Sequence, residues 1–293
     1  MPTLSFADME ISRVEETVLP VPMTLLAADP ALVARHRGWL APRFMSEDEM
    51  TFWLYFQTWL LRADGLTIVV DPCNGNGRDR PAMPQFHQLN TPFIERFEAT
   101  GVRPDQVDIV FCTHLHCDHC GWNTQLRGGR WVPTFPNARY LFLRREAERW
   151  DPRRPGHVEV DYNRGVFEDS VLPVIEAGLA ELVEEHHQFH PGFSIEPAYG
   201  HTKGHAIVRI ATPQTRLYMT GDSFHHPLQV SDPALHLGGC DDLPATIATR
   251  ERLRRTIARE EAVMIPAHFP APHGGRIVED GSAWRFVPLG DDA

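Results

Sequence analysis

The sequence predicts an α/β (α+β) fold, an αββα sandwich in which two mixed β-sheets are flanked by helices. Three observations lead there. Strand-like and helix-like stretches interleave along the chain. Several adjoining strands are joined by hairpin turns, and a dense group of metal-ligating side chains falls where a short apolar strand ends. Interleaving alone would suit a doubly wound parallel sheet, but the hairpins favour sheets of mixed direction.

The elements follow in order. Residues 1–45 are rich in Pro, Ala and Arg and hold one short helix, around residues 29–36. We read them as an N-terminal extension to a single catalytic domain over residues 46–293. Trp39, Leu40, Phe44 and Met45 cluster in that extension. Two placements are open for it: over the chain's own pocket, or over a neighbour in a homodimer. Residues 51–61 are strand-like by aromatic content. Asp64-Gly65 offers a hairpin turn, since the pair supports positive φ, and residues 66–70 form the return strand, which ends at Asp71. Asn90-Thr91-Pro92 opens a helix through about residue 99. Residues 107–112 (Val-Asp-Ile-Val-Phe-Cys) are short, apolar and β-branched, as a buried strand is. Further on we expect a strand over residues 139–144 and a charged, largely helical stretch over 145–185, placed to form a lid or pocket wall. A charged helix over 251–260 then leads into a strand ending at His268, and a terminal hairpin over 274–288 turns around Asp280-Gly281.

The chain of 293 residues has 39 acidic and 28 basic residues, for a formal net charge of −11. With no basic stretch it is a poor partner for nucleic acid. No apolar run reaches the roughly 18 residues that a membrane span needs. The first 16 residues lack the basic head and apolar core of a signal peptide. Five cysteines, an odd and sparse set, fit a reducing compartment, and we expect a cytoplasmic protein. Cys117 and Cys120 form a Cys-x-x-Cys, but a structural zinc site of that kind needs a second pair. We read both as fillers within the segment described next.

That segment is Thr113-His114-Leu115-His116-Cys117-Asp118-His119. It sets three imidazoles and a carboxylate in the spacing His-x-His-x-Asp-His. These are the groups that zinc and similar borderline metals prefer. Packed this closely they repel one another when protonated, unless a cation organises them. The spacing suits two ions rather than one. The segment also follows a core strand, where open α/β sheets place their chemistry. Three later stretches carry the same chemistry: Gly200-His201-Thr202-Lys203-Gly204-His205, Tyr218-Met219-Thr220-Gly221-Asp222, and Val263-Met264-Ile265-Pro266-Ala267-His268.

In kind and order these four motifs resemble those of the metallo-β-lactamase superfamily, and the resemblance runs from about residue 50 to the C-terminus. It implies that His114, His116 and His201 hold one divalent metal ion, that Asp118, His119 and His268 hold a second, and that Asp222 bridges them. Zinc is the implied metal, and manganese, cobalt or iron also suit such ligands. Asp71 would brace the ligand loop rather than bind metal. His205 would be structural. Such a centre lowers the pKa of water to give a metal-bridging hydroxide as nucleophile. Oxygen- and nitric-oxide-reducing members typically carry Glu where this chain has His116, which favours hydrolysis. Many zinc β-lactamases carry Cys or Ser where it has Asp222, which lowers the antibiotic-hydrolase reading.

Downstream of Asp222 the chain reads Ser223-Phe224-His225-His226, then Gln229 and Asp232-Pro233. This resembles the branch containing methyl parathion hydrolase and lactonase-like proteins, and Cys120-Gly121-Trp122-Asn123 fits the same branch. Acyl-homoserine lactonases typically place a tyrosine where this chain has His225. An imidazole there could bond to the substrate oxygen or act as general acid, or it could only brace the bridge. Asp118 and His225 are thus the catalytic candidates, and His226, on the opposite face of an extended segment, is less favoured. Trp53, Phe56, Trp122 and Phe269 either line an apolar pocket or fill the core. The expected substrate is a small neutral ester-like molecule: a lactone, a carboxylic ester or an organophosphate triester. The alternatives are a glyoxalase-type thioester hydrolase and a non-catalytic metal-binding carrier or sensor of the same fold.

Overall fold

A computed structural model of the chain describes residues 3–281 and 283–291; Met1, Pro2, Ser282, Asp292 and Ala293 lie outside the described residues. The chain divides into two compact units, each assembled from two stretches of sequence. One comprises Met1–Thr17 and Phe56–Glu185, the other Val18–Tyr55 and His186–Ala293. Residues 1–45 are therefore shared between them: the first unit takes β1 (Thr3–Phe6) and β2 (Met9–Pro22) as far as Thr17, and the second takes the end of β2 and the helix Pro30–Leu40.

The first unit is built on a seven-stranded sheet. Its strands after β2 are β3 (Thr51–Ala63), β4 (Leu66–Val70) and β5 (Ile109–Phe111); β6 (Thr124–Arg127) and β7 (Arg130–Pro133) pair apart from it; β8 (Arg139–Leu143) and β9 (Ala180–Val183) complete it. The order is β1-β2-β3-β4-β5-β8-β9. β1 and β2, and β3 and β4, run antiparallel. The ladders from β4 through β5 and β8 to β9 are parallel. Asp64 and Gly65 both take positive φ, 50° and 79°, as the hairpin between β3 and β4 requires. Every residue of β5 is buried, which explains its unbroken apolar sequence.

The stretch over 145–185 is only partly helical. It forms the helix Arg144–Trp150, short turns over 161–163 and 167–171, the helix Leu172–Glu176, and then β9. Ala180-Glu181-Leu182-Val183 has weak strand propensity of its own, and pairing with β8 decides its conformation.

The second unit carries the other sheet, β10 (His187–His190), β11 (Phe193–Pro197), β12 (Ala206–Ala211), β13 (Arg216–Gly221), β14 (Val263–Pro266), β15 (Gly275–Asp280) and β16 (Ala283–Pro288), in sequential order. Neighbours are antiparallel except β13 and β14, which are parallel. The crossover between those two contains the helix Leu243–Arg259, whose first turn is capped by Asp242 Oδ1 accepting from Ala245 N at 3.0 Å. Leu40, Phe44 and Met45 are fully buried in this unit's core with Phe269 and Phe286. These residues of the expected extension therefore fill the core of their own chain. No helix among the described residues is long and apolar enough to cross a membrane.

Candidate metal centre

In the first unit, four predicted ligands sit in the loop and single helical turn that follow β5. His114, His116 and His119 are buried, and Asp118 is partly exposed. The loop is held from beneath by Asp71, at the end of β4. Asp71 Oδ1 accepts the Thr113 backbone N–H at 2.7 Å, Oδ2 accepts the Thr113 hydroxyl at 2.8 Å, and Oδ2 lies 3.0 Å from His119 Nδ1. The bracing role expected of Asp71 matches these contacts. Because the Thr113 hydroxyl hydrogen goes to Asp71, its oxygen is left to accept from His114 Nδ1, 3.1 Å away. The lone pair of a neutral His114 ring then lies on Nε2, which faces His116 Nδ1 at 3.0 Å.

Other residues that sequence reasoning passed over hold the same loop. Glu146 Oε1, buried, accepts from Leu115 N at 2.9 Å and from Trp150 Nε1 at 2.7 Å; Asn163 donates to the Leu115 carbonyl at 2.9 Å. The His116 ring packs edge-on against Trp150 and Tyr162. These partners lie tens of residues downstream, and no local pattern marks them.

In the second unit, parallel pairing brings the ends of β13 and β14 side by side, with Gly221 opposite Pro266. Asp222 and His268 follow those ends, and His268 Nε2 lies 3.0 Å from Asp222 Oδ1. His201 Nε2 and His225 Nε2 approach the other oxygen, at 3.3 and 3.0 Å. His201, Asp222 and His225 are all buried and offer ligand atoms within 4.8 Å of one another. His205 lies outside this ring: its Nε2 accepts the backbone N–H of Asp222 at 3.1 Å, a structural role. Gly200 must be glycine, since it sits at φ 131° and a Cβ there would lie 2.2 Å from the Thr246 backbone nitrogen.

The donor chemistry fits divalent metal ions. His268 Nδ1 donates to the Tyr55 carbonyl at 3.0 Å, so a neutral ring has its lone pair on Nε2, directed at a carboxylate oxygen. In the first unit the Asp71 carboxylate favours a proton on His119 Nδ1, which leaves the Nε2 lone pair facing Asp118 Oδ2 at 3.4 Å. Lone pairs directed at one another repel unless a proton or a cation lies between them. Carboxylate or hydroxyl partners on the far ring nitrogen are also how ligand imidazoles are oriented in metal sites.

The sequence profile of the Metallo-beta-lactamase superfamily matches residues 54–268. The chain belongs to this superfamily. It has the metallo-β-lactamase fold, two mixed sheets with helices, as the sequence predicts. No curated protein matches the sequence. Among solved structures it is similar to the hydrolase AbOPH of the beta lactamase superfamily, at 20% identity over 99% of this chain and 98% of that one, with a TM-score of 0.78. It is similar to AidC, a dizinc quorum-quenching lactonase, at 16% identity over 100% and 98%, TM-score 0.77. A probable metal-dependent hydrolase from Staphylococcus aureus aligns at 16% identity over 99% and 100%, TM-score 0.74.

Within this superfamily member, the segment after Asp222 is tightly held. Gln229 Oε1 accepts the backbone N–H groups of both His225 and His226, at 2.7 and 3.2 Å. The Arg250 guanidinium, fully buried, donates to the carbonyls of Ser223, Pro233 and Leu235. The His225 ring lies parallel to that of His268, 6.0 Å between centroids. Burial holds the His225 pKa below its ordinary value, against the pull of Asp222. His226 Nε2 donates to the Phe44 carbonyl at 3.0 Å, and its Nδ1 accepts from Leu228 N at 3.2 Å. Both nitrogens are thus committed to structure. Of the four aromatic candidates, Phe56, Trp122 and Phe269 are buried, and Trp122 stacks on Phe93 at 4.9 Å. Cys73, Cys112, Cys117 and Cys120 are buried thiols that burial holds protonated, which suits fillers rather than a redox pair.

Burial pushes the His226 pKa down to about 4 from its ordinary 6.5. The unfolded chain therefore takes up this proton first as pH falls. The resulting stability is fully present above about pH 6.5 and declines as pH drops to about 4, by at most ~3 kcal/mol. Thermal melts across that window should show a steeper loss for wild type than for His226→Gln. Equal slopes would remove His226 as a source of acid sensitivity.

Proposed function

We propose that the protein is a binuclear metal-dependent hydrolase acting on a small neutral ester-like substrate, with a lactone, a carboxylic ester or an organophosphate triester as the class. His114, His116 and His201 would hold one ion, Asp118, His119 and His268 the other, and Asp222 would bridge them. Zinc is the ion we favour. The observation that carries the reading is Asp222: a buried carboxylate approached by three imidazole Nε2 atoms, with the His268 Nδ1 proton already committed to a backbone carbonyl. When bound, two such ions supply an activated water near neutral pH and a Lewis acid for the substrate's carbonyl or phosphoryl oxygen.

The chain's own residues orient and tune that chemistry. Asp71 and Thr113 fix the tautomers of the loop imidazoles, and Tyr55 fixes that of His268. His225 keeps Nε2 on Asp222, which supports a bracing role; release of that contact would free it to donate to the substrate or leaving group. The name of AidC, a lactonase, supports the lactone within the ester-like class, and the Gly-Asp-x-x-His segment supports the parathion hydrolase and lactonase-like branch. The five free cysteines support a reducing, cytoplasmic location.

The test is proton release from a panel of lactones, aryl esters, phosphotriesters and β-lactams, run with protein stripped of metal and reloaded. Turnover on one ester-like class that vanishes on stripping is the expected result. Metal-verified protein that leaves the whole panel untouched would overturn the substrate class.

A further inference from the structure

We propose that Glu16, in β2, is a positioning residue of the metal centre: its carboxylate fixes the turn that begins at Asp71 and so sets the direction of the loop imidazoles. The proposal rests on the metal reading above. Glu16 is buried, and it receives N–H donors from two distant segments. Oε2 accepts from Asn74 N and Asn74 Nδ2, both at 2.8 Å; Oε1 accepts from Gly75 N at 3.1 Å and Trp122 Nε1 at 2.6 Å. All four contacts are donors, so the site is shaped for a carboxylate rather than for a carboxylic acid, whose own hydrogen would need an acceptor. Burial raises the Glu16 pKa and the four donors oppose that rise.

These donors flank the ligand loop. Asn74 and Gly75 close the turn that starts at Asp71. Trp122 follows the helical turn that carries Asp118 and His119. The two segments are also joined by backbone bonds, Gly121 N to the Cys73 carbonyl at 2.6 Å and Trp122 N to the Pro72 carbonyl at 2.7 Å. Glu16 thus clamps the frame from which Asp71 reaches Thr113 and His119. It touches no predicted ligand itself.

The test uses full-length protein and two variants. Glu16→Gln keeps the size but turns an amide NH₂ toward backbone donors; Trp122→Phe removes one donor and leaves three. Zinc affinity is measured by chelator competition, and ligand geometry by the visible absorption of the cobalt-loaded protein. Glu16→Gln, folded by circular dichroism, is expected to bind zinc several-fold more weakly, up to the ~10-fold loss that follows removal of a group bonded directly to a metal ligand, because Glu16 acts one step further back, through the Asp71 turn. Its cobalt spectrum should shift, and Trp122→Phe should move both readouts the same way by less. A purely structural clamp would lower the melting temperature and leave affinity and spectrum as in wild type, which overturns the proposal. Should Glu16→Gln not fold, an unaltered Trp122→Phe overturns it equally. A wild type that binds no zinc would instead sink the hydrolase reading, and this inference with it.

Discussion

Replacing Asp222 by Asn is expected to lower kcat/KM by on the order of 10²–10³ while the protein stays folded, the loss typical of removing one electrostatic group from a reacting centre. The substitution keeps shape but removes the charge that three imidazoles approach. An amide also puts NH₂ where a carboxylate oxygen now lies, against His225 Nε2 or His268 Nε2. On the binuclear reading proposed above, in which Asp222 would be shared by two cations, metal content after gel filtration should fall alongside turnover, because a neutral amide would be a weaker ligand than a carboxylate. The backbone N–H of Asp222 keeps its bond to His205, so the far-UV spectrum should not change. A variant with wild-type metal content and turnover would remove Asp222 from the centre.

Gly121→Ala should cost about 3 kcal/mol or more, in the upper range of overpacking substitutions, which would lower the melting temperature by roughly 6–12 °C. The backbone at Gly121 is ordinary, φ −58° and ψ −51°. The obstacle is proximity: a Cβ there would fall 1.8 Å from the Asn74 carbonyl oxygen and 2.0 Å from its carbon. Neither atom can retreat without breaking the bonds that tie residues 72–75 to residues 121–122. Gly38→Ala is the control. It lies within the helix Pro30–Leu40 with nothing inside 4 Å of its added carbon, and it should gain roughly 0.5–1 kcal/mol. Melts of the two variants should move in opposite directions. A Gly121→Ala protein that melts like wild type would disprove the close approach.

The parts of the fold that were legible in the sequence are those coded locally. The aromatic run of β3, the Asp64-Gly65 turn and the apolar β5 each carry their own signal, and the ligand motifs name their chemistry in a few residues. Residues whose meaning comes from distant partners were not legible. Glu16 lies in a stretch where the sequence suggests no strand, and the donors that give it meaning lie 58 and 106 positions away. Arg250 falls just before the charged helix expected over 251–260, yet it belongs to the helix Leu243–Arg259 and is fully buried against carbonyls 15 to 27 residues earlier. β9 was missed because its four residues become a strand only beside β8.

The interleaved make-up of the two units bears on how the chain is made. Residues 18–55 leave the ribosome early, yet the core that buries Leu40, Phe44 and Met45 is completed by residues as late as Phe286. The His226–Phe44 bond alone spans 182 positions. During synthesis these apolar side chains wait without their final neighbours, a state that invites association with other nascent chains or capture by chaperones. Loops this long also slow the search for native pairing. A cut between the two stretches of either unit separates residues of one compact unit, and soluble expression should depend on synthesis reaching Phe286.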